Sequence, residues 1–246
     1  MTSKIWYSYQ GGISEDDDIG FYNPKQIVSL LVIEKNWKEI AKEIQDYLQN
    51  NRKKLSPYFD PSLVNQQKSW KIATFIAWNW NKYSNIKSCP KTLKILSEFP
   101  DLVSASISVL EPGATIKPHR GDTNAIIRCH LPLQASEKLP LCGMKVKYEE
   151  RSWINGKLLA FNDAAWHTAW NKSEKRRIIL IFDIIKPEFS HKKYTICSKV
   201  LTSIFVNGLL HKFGKNQSFN KKMKHYFITS FALIINCLLR INNIFK

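Results

Sequence analysis

The spacing of hydrophobic residues predicts helices at both ends of the chain. Between Asn36 and Asn50, apolar residues recur at the spacing that one buried helix face requires. Proline is favoured in the first turn of a helix, so Pro90 predicts a second, short helix from Lys91 to Phe99. After Pro187 the helical period returns in two runs, Val200 to Phe213 and Tyr226 to Leu239.

The middle of the chain has a period of two, which predicts β-strands. From Val103 to Val109 every second residue is apolar and the residues between them are serines, as in a half-buried strand. Many short strands separated by turns indicate a mainly β core, either an antiparallel sandwich or a barrel. The other expected strands are Ile126–Leu133, Met144–Glu149, Lys157–Phe161, Arg177–Ile185 and the aromatic-rich residues 70–80.

These changes of period divide the chain into three predicted parts. Residues 1–69 form an N-terminal segment with an irregular start, an acidic cluster from Glu15 to Asp18 and a flanking helix. Residues 70–189 contain the predicted strands and form the β domain. Residues 190–246 form a basic helical extension.

Composition and charge favour a folded protein with an anionic partner. Hydrophobic residues make up 44% and aromatic residues 12% of the 246, which is typical of a packed core. The net charge of +17 is uneven, because residues 186–246 hold eleven Lys or Arg and one acid, Glu188. Such a segment favours a membrane surface or nucleic acid as a partner. Solvated helix faces are the alternative.

The last apolar run helps to choose between these partners. It spans fourteen residues, from Tyr226 to Leu239, whereas a membrane-spanning helix needs about 20. A buried or interfacial helix is therefore expected, and the three lysines between residues 221 and 224 suit anionic headgroups. The sequence thus favours an anionic membrane surface as a partner of residues 190–246, and it disfavours nucleic acid.

The cysteines and the first residues predict a cytoplasmic location. The five cysteines are odd in number and contain no C-x-x-C pair, which favours reduced thiols. Residues 1–10 contain one lysine and no apolar core, so no secretory signal is expected. We therefore expect a cytoplasmic protein, with peripheral membrane association through the C-terminal segment as an addition to that expectation.

Two histidines in separate predicted strands are candidates for an iron site. His119 lies in Lys117-Pro118-His119-Arg120-Gly121, and His167 ends the stretch that begins at Phe161. Many oxygenases hold Fe(II) with two imidazoles and one carboxylate, which leaves positions open for a bidentate keto acid and O2. The carboxylate usually lies two residues after the first histidine, where this chain has Gly121. On the residues alone, hydrogen-bonded core histidines are the alternative.

Two arginines in apolar strands indicate a buried anion. Arg128 and Arg177 both lie among isoleucines and other apolar residues, and leaving a buried guanidinium unpaired is unfavourable. A guanidinium matches a carboxylate with two parallel hydrogen bonds, so a small dicarboxylate could pair with one arginine at each end. An internal Asp or Glu partner is the alternative.

The ordered motifs from about Trp70 to Phe189 resemble the aspartyl/asparaginyl β-hydroxylase family of Fe(II)/2-oxoglutarate dioxygenases. The family's elements have counterparts in Ser108 to Gly113, His119 with Gly121, Asn124 to His130, Phe161 to His167, and Arg177. The resemblance covers nearly half of the chain and accounts for the glycine, since family members bind iron through two histidines. It implies a double-stranded β-helix (jelly roll) with flanking helices.

The resemblance also implies a role for each matched residue. His119 and His167 would ligate Fe(II), and Asp163 would hydrogen-bond a water in place of the missing carboxylate ligand. Arg177 and Ser108 would hold one carboxylate of 2-oxoglutarate, and Arg128 with His130 would hold the other end near the metal. Trp70 would flank the pocket as a substrate contact. A departure is Asn162, where the family commonly has a second acid, and this difference concerns substrate contacts.

The implied reaction is oxidative decarboxylation of 2-oxoglutarate with O2, coupled to hydroxylation of an unactivated C–H bond. The expected substrate is an aspartyl or asparaginyl side chain in a peptide, or a related small molecule. One alternative is a lipid acyl chain at the membrane surface, which the basic, apolar tail favours. Others are a halogenase, because the missing carboxylate opens a position for chloride, and a binding module of the same fold without activity.

Overall fold

The computed structural model describes residues 4–12, 14, 19–27, 30–50, 55–82, 85, 87–135, 137–212 and 220–244. The predicted acidic cluster at residues 15–18 and the end of the predicted helix at Phe213 lie outside these residues. The helices are α1 (Leu31–Lys35), α2 (Trp37–Asn50), α3 (Pro90–Ser97), α4 (Lys193–Lys212) and α5 (Lys221–Ile244), with short 3-10 turns at Ser8–Gln10, Pro24–Gln26, Pro61–Leu63 and Pro187–Lys192.

Both helices predicted in the first hundred residues are confirmed, and each has a local cause. Helix α2 buries Ile40 and Ile44 on one face, as its apolar spacing requires. Helix α3 begins at Pro90, where the Glu43 carboxylate accepts hydrogen bonds from the free backbone N–H groups of Lys91 and Thr92. The two helices are thereby joined at the start of α3.

In the described part of the chain, twelve antiparallel strands form two sheets. The larger sheet has eight strands in the order β1-β10-β7-β12-β5-β3-β2, with β4 beside β3, and the smaller sheet has the order β6-β11-β8-β9. The strands are β1 (Phe21–Tyr22), β2 (Ser56–Pro57), β3 (Trp70–Ala77), β4 (Trp80–Asn81), β5 (Leu102–Leu110), β6 (Ala114–His119), β7 (Ile126–Gln134), β8 (Cys142–Val146), β9 (Glu149–Arg151), β10 (Leu159–Phe161), β11 (His167–Asn171) and β12 (Arg177–Ile185).

The predicted jelly roll is confirmed, and strand alternation separates its two cores. On β12, Ile178, Leu180 and Phe182 pack toward the N-terminal helices. The residues between them, beginning with Arg177 and Ile179, face the smaller sheet. Because side chains alternate along a strand, one sheet carries both a structural face and a face that can line a pocket.

The C-terminal helices form a third cluster with one end of the larger sheet. Ile126 and Ile185, at the ends of β7 and β12, are buried together with Ile196 of α4 and Leu239 of α5. Helix α5 has 24 residues, so the predicted fourteen-residue run underestimated it. Within it, the segment Lys222–Asn242 is long and apolar enough to cross a membrane. Only 17% of this segment is buried in the protein.

Candidate metal and cosubstrate pocket

The two sheets enclose a pocket whose ends are set by strand register. His119, at the end of β6, lies opposite His167, the first residue of β11. On the larger sheet Asp183 lies opposite Arg128 at the same end, whereas Arg177 lies opposite Leu110 at the other. The six residue-to-residue steps from 177 to 183 correspond to about 20 Å of strand. We call these the histidine end and the arginine end of the pocket.

Seven of the eight predicted site residues line this pocket, and the eighth, Asp163, contacts two of them. The pocket has an empty volume of about 390 Å³ that includes space open to solvent. Its lining residues are Trp70, Ser108, Ile116, His119, Arg128, His130, Met144, Phe161, His167, Ala169, Arg177, Ile179 and Ile181. The predictions thus converge on one location, while the individual roles stay predictions.

The two histidines are held as neutral imidazoles with one ring nitrogen free to bind a ligand. The Nδ1 atoms of His119 and His167 lie 2.9 Å from the backbone carbonyls of Lys117 and Ala165. A carbonyl can only accept, so each Nδ1 carries the proton and each Nε2 keeps its lone pair. Burial lowers the pKa of both imidazoles, and the ring centroids are 4.2 Å apart. Two such nitrogens can bind one metal ion.

The carboxylate of Asp163 occupies the space that a side chain at position 121 would fill. A Cβ atom built on Gly121 would lie 1.6 Å from Asp163 Oδ2, and the Gly121 N–H donates to the Asp163 carbonyl at 2.7 Å. Asp163 Oδ1 lies 3.6 Å from His167 Nε2. The glycine therefore admits a carboxylate from another segment to the place where an H-x-D motif would put its own.

Arg128 has the internal carboxylate partners that the sequence left open. Its Nη1 donates to Asp163 Oδ1 at 2.6 Å, and its Nε and Nη2 donate to the two oxygens of Asp183 at 2.8 and 3.0 Å. A guanidinium has five N–H donors, so two remain after these three bonds. Arg128 thus orients Asp163 and still lines the pocket.

Arg177 is buried without such partners. Its side chain is among the largest that are fully buried, and its Nε and Nη1 atoms have no hydrogen-bond partner. Burial lowers the pKa of its guanidinium to about 10, and its Cζ atom lies 4.6 Å from the ring centroid of Trp153. Buried donors of this kind are rarely left unpaired, so this end of the pocket is suited to an anion.

Two further groups that line the pocket can also donate to an anion. The Ser108 hydroxyl accepts a 3.0 Å bond from Trp70 Nε1, which leaves its own proton free to donate. His130 Nδ1 accepts a 3.3 Å bond from Trp153 Nε1, so its proton lies on Nε2. Burial, reinforced by the Arg177 charge, keeps the His130 pKa well below its usual value and the ring neutral.

Sequence reasoning missed three residues of this site. Asp183 and Arg177 are an even number of residues apart on β12, so their side chains lie on the same face of the sheet. This alternation could have identified Asp183 from the sequence. Trp153 and Tyr58 gave no signal, because the first lies in a loop and the second stacks on Trp70 across a turn, with centroids 3.6 Å apart. All three position predicted site residues.

The donor set fits Fe(II) held by two imidazoles. Within the described ranges no group of three or more His, Cys, Asp or Glu side chains is arranged to hold a metal. His119 and His167 are the residues that would hold the ion, and Asp163 Oδ2 is a buried acceptor without a partner. That oxygen is suited to a metal-bound water in place of a third protein ligand.

The chain is similar in sequence to known hydroxylases. A family model described as Aspartyl/Asparaginyl beta-hydroxylase matches residues 34–187. The ornithine lipid ester-linked acyl 2-hydroxylase of Rhizobium tropici is 29% identical over 77% of this chain and 69% of its own. The human aspartyl/asparaginyl beta-hydroxylase is 28% identical over 64% of this chain, which spans only 21% of that protein. A prolyl-4-hydroxylase structure from Pseudomonas putida aligns with a TM-score of 0.46 and 12% identity, over 68% of this chain and 93% of its own.

Proposed function

Because the chain belongs to the aspartyl/asparaginyl β-hydroxylase family, we propose that this hydroxylase depends on Fe(II), 2-oxoglutarate and O2. The observation that carries the proposal is the unpaired, buried guanidinium of Arg177 in the same pocket as two neutral imidazoles. When bound, Fe(II) couples oxidative decarboxylation of 2-oxoglutarate to succinate and CO2 with hydroxylation of an unactivated C–H bond.

The protein's own residues bind and orient the cosubstrate. Arg177 pairs with one carboxylate of 2-oxoglutarate, and the Ser108 hydroxyl donates to the same end. At the other end, His130 Nε2–H and the two remaining donors of Arg128 contact the second carboxylate. Met144 and Phe161 complete an apolar wall that excludes water from the reacting atoms.

Asp163 acts at the histidine end without ligating the metal. Burial raises the pKa of this carboxyl to about 7, and the Arg128 guanidinium opposes the rise. Its Oδ1 is kept in place by Arg128, and its Oδ2 would be free to accept a hydrogen bond from a water on the metal. Asp163 thereby fixes the position that a third protein ligand would otherwise occupy.

Two substrate classes follow from the relatives, and we favour a lipid acyl chain. The acyl 2-hydroxylase matches 77% of this chain, including residues beyond the shared β core. The aspartyl/asparaginyl hydroxylases match 64% or less, and they support an Asp or Asn side chain as the second candidate. Asn162, fully buried, stands where the family commonly has an acid, and this difference concerns substrate contacts.

Succinate release tests the proposed chemistry. The purified protein would be loaded with Fe(II) anaerobically and exposed to O2 and 2-oxoglutarate with either acyl lipids or Asp- and Asn-containing peptides. We expect succinate with one substrate pool, and product mass identifies the added oxygen or, for a halogenase, chlorine. His167→Ala should abolish release and weaken Mn(II) binding in equilibrium dialysis, whereas exposed His191→Ala should change neither.

Two results of the same assay would contradict the proposed function. Full activity in His167→Ala would refute the iron assignment. No succinate from any pool, together with intact 2-oxoglutarate binding, would favour a binding module without activity.

A further inference from the structure

The α4–α5 pair leaves most of its apolar surface uncovered. Helix α5 buries Ile228, Ala232 and Leu239, which lie on the face toward α4 and the β core. Five other apolar residues are 40–58% exposed and recur at intervals of three or four residues. That spacing places them on one side of the helix. They are Phe227, Phe231, Ile234, Leu238 and Ile241, and we call them the α5 stripe.

A groove next to the stripe extends this apolar surface. It lies between α4, α5 and the β3–β4 turn, and it has a volume of about 330 Å³. Its lining is almost wholly apolar and includes Trp80, Phe205 and Phe231. Contiguous exposed apolar surface of this kind marks an interaction site on a folded protein.

The charge around the stripe identifies its partner. Residues 189–246 contain ten Lys or Arg and no Asp or Glu. Lys222 and Arg240 are exposed near the two ends of α5, so cations flank an apolar face, as in helices that lie in a membrane interface. Two copies of this surface would repel each other, whereas an anionic bilayer offers acyl chains and negative headgroups together.

The same helices lie at the histidine end of the jelly roll. Ile126 and Ile185, which pack under α4, are two residues from Arg128 and Asp183. Residues 6–8 also bond to the loop that follows His119. The ring centroid of Tyr9, in the 3-10 turn Ser8–Gln10, lies 5.9 Å from that of His225 in α5. A surface docked through α5 would therefore be close to the histidine end of the pocket.

We propose that the α4–α5 pair docks the protein on an anionic bilayer. The α5 stripe and the groove enter the boundary between headgroups and acyl chains, while the flanking cations contact lipid phosphates. The docking itself stands apart from the proposed chemistry. That the docked site hydroxylates an acyl chain of the same bilayer rests on the proposed function.

Vesicle flotation tests the docking without any turnover. The full-length protein, without Fe(II) or 2-oxoglutarate, is mixed with phosphatidylcholine vesicles or with vesicles that also contain phosphatidylglycerol. We expect flotation with the anionic vesicles and loss of flotation at high salt. The double variant Phe231→Ser/Ile234→Ser should bind the anionic vesicles at least about tenfold more weakly. Ile154→Ser, at 56% exposed against 58% for Ile234, is the matched control and should bind normally.

Each other outcome would count against the proposal. Absence of wild-type flotation, or equal flotation of the stripe variant, would overturn it. A concentration-dependent dimer that the stripe variant abolishes would assign the stripe to a second copy. If the protein expressed in cells is not released from membranes by alkaline carbonate, then α5 is a membrane-spanning helix. The 2-oxoglutarate affinity of the stripe variant, measured in solution, reports separately on the pocket.

Discussion

The two ends of the pocket each hold an arginine, and their surroundings differ. Arg128, at the histidine end, makes three hydrogen bonds to Asp163 and Asp183. Arg177, at the arginine end, has two guanidinium nitrogens without a partner and is more deeply buried. Both lie on strands of one sheet and have the same side-chain chemistry. The difference is that the charge of Arg128 is compensated by carboxylates of the protein, while the charge of Arg177 is not.

Of the changes considered, removing Arg128 should lower the free energy of unfolding the most. Arg128→Met leaves Asp163 and Asp183 as buried carboxylates without a cation, which costs about 3–5 kcal/mol for a buried pair. The free energy of unfolding, from denaturant titration, should fall accordingly. Arg176→Met changes an exposed arginine that directly precedes β12, and its stability should stay close to wild type. An equally small change in both variants would mean that the ion pairs contribute little.

Removing Arg177 should have the opposite sign in the ligand-free protein. Arg177→Met replaces an unpaired buried charge by an apolar side chain, so the free energy of unfolding should rise or stay constant. The affinity for 2-oxoglutarate should fall by about 100-fold, because a buried charge pair is lost. Arg177→Lys should recover only part of it, since lysine cannot form two parallel bonds. If calorimetry shows an unchanged affinity for 2-oxoglutarate in Arg177→Met, then the anion binds elsewhere.

Filling the space at Gly121 should sharpen the assignment of Asp163. Gly121→Ala places a methyl group where the carboxylate lies, and Arg128 restrains that carboxylate from moving. Overpacking of this kind costs about 1–3 kcal/mol, and Mn(II) affinity should fall with stability. Gly208→Ala has no atom within 4 Å of the new Cβ and serves as the control. Two variants of equal stability and metal affinity would contradict the role of the glycine.

The smallest expected effect is a pH dependence from His130, between the two arginines. Its folded pKa lies well below the usual value of 6.5, so the unfolded chain takes up a proton that the folded one refuses. Stability is therefore complete above pH 6.5 and falls as the pH decreases, by up to about 1.4 kcal/mol per pH unit. His130→Gln should show a shallower decrease in urea titrations from pH 7 to 5. If the free energy of unfolding decreases equally in wild type and His130→Gln, then His130 does not contribute to the pH dependence.

Much of the fold follows from local pattern, and the site follows only in part. The period of two in β5, β7 and β12 predicted which residues share a face, so Arg128, His130 and Arg177 were found. Strands β6 and β11 were not delimited, because they are short and contain Pro118 or alternate too few apolar residues. The pairing of Arg128 with Asp183, 55 residues away, depends on sheet register that no local pattern encodes.

The length of α5 shows the same limit at the other end of the molecule. Counting apolar residues stopped the predicted run at His225 and Arg240, whereas the helix continues to Ile244. Polar residues near a helix end remain solvated and do not terminate the backbone hydrogen bonds. Hydrophobic runs therefore measure the apolar face of a helix and not its length.

The position of Trp153 gives the pocket an optical reporter of its own. Its indole N–H donates to His130, and its ring lies against the Arg177 guanidinium at 4.6 Å. An anion that pairs with Arg177 changes the charge felt by the ring face, so the fluorescence of this tryptophan changes when the arginine end is filled. Subtracting the emission of a Trp153→Phe variant isolates this signal from that of the other seven tryptophans. Occupancy can then be followed in real time, without labels and before any chemistry begins.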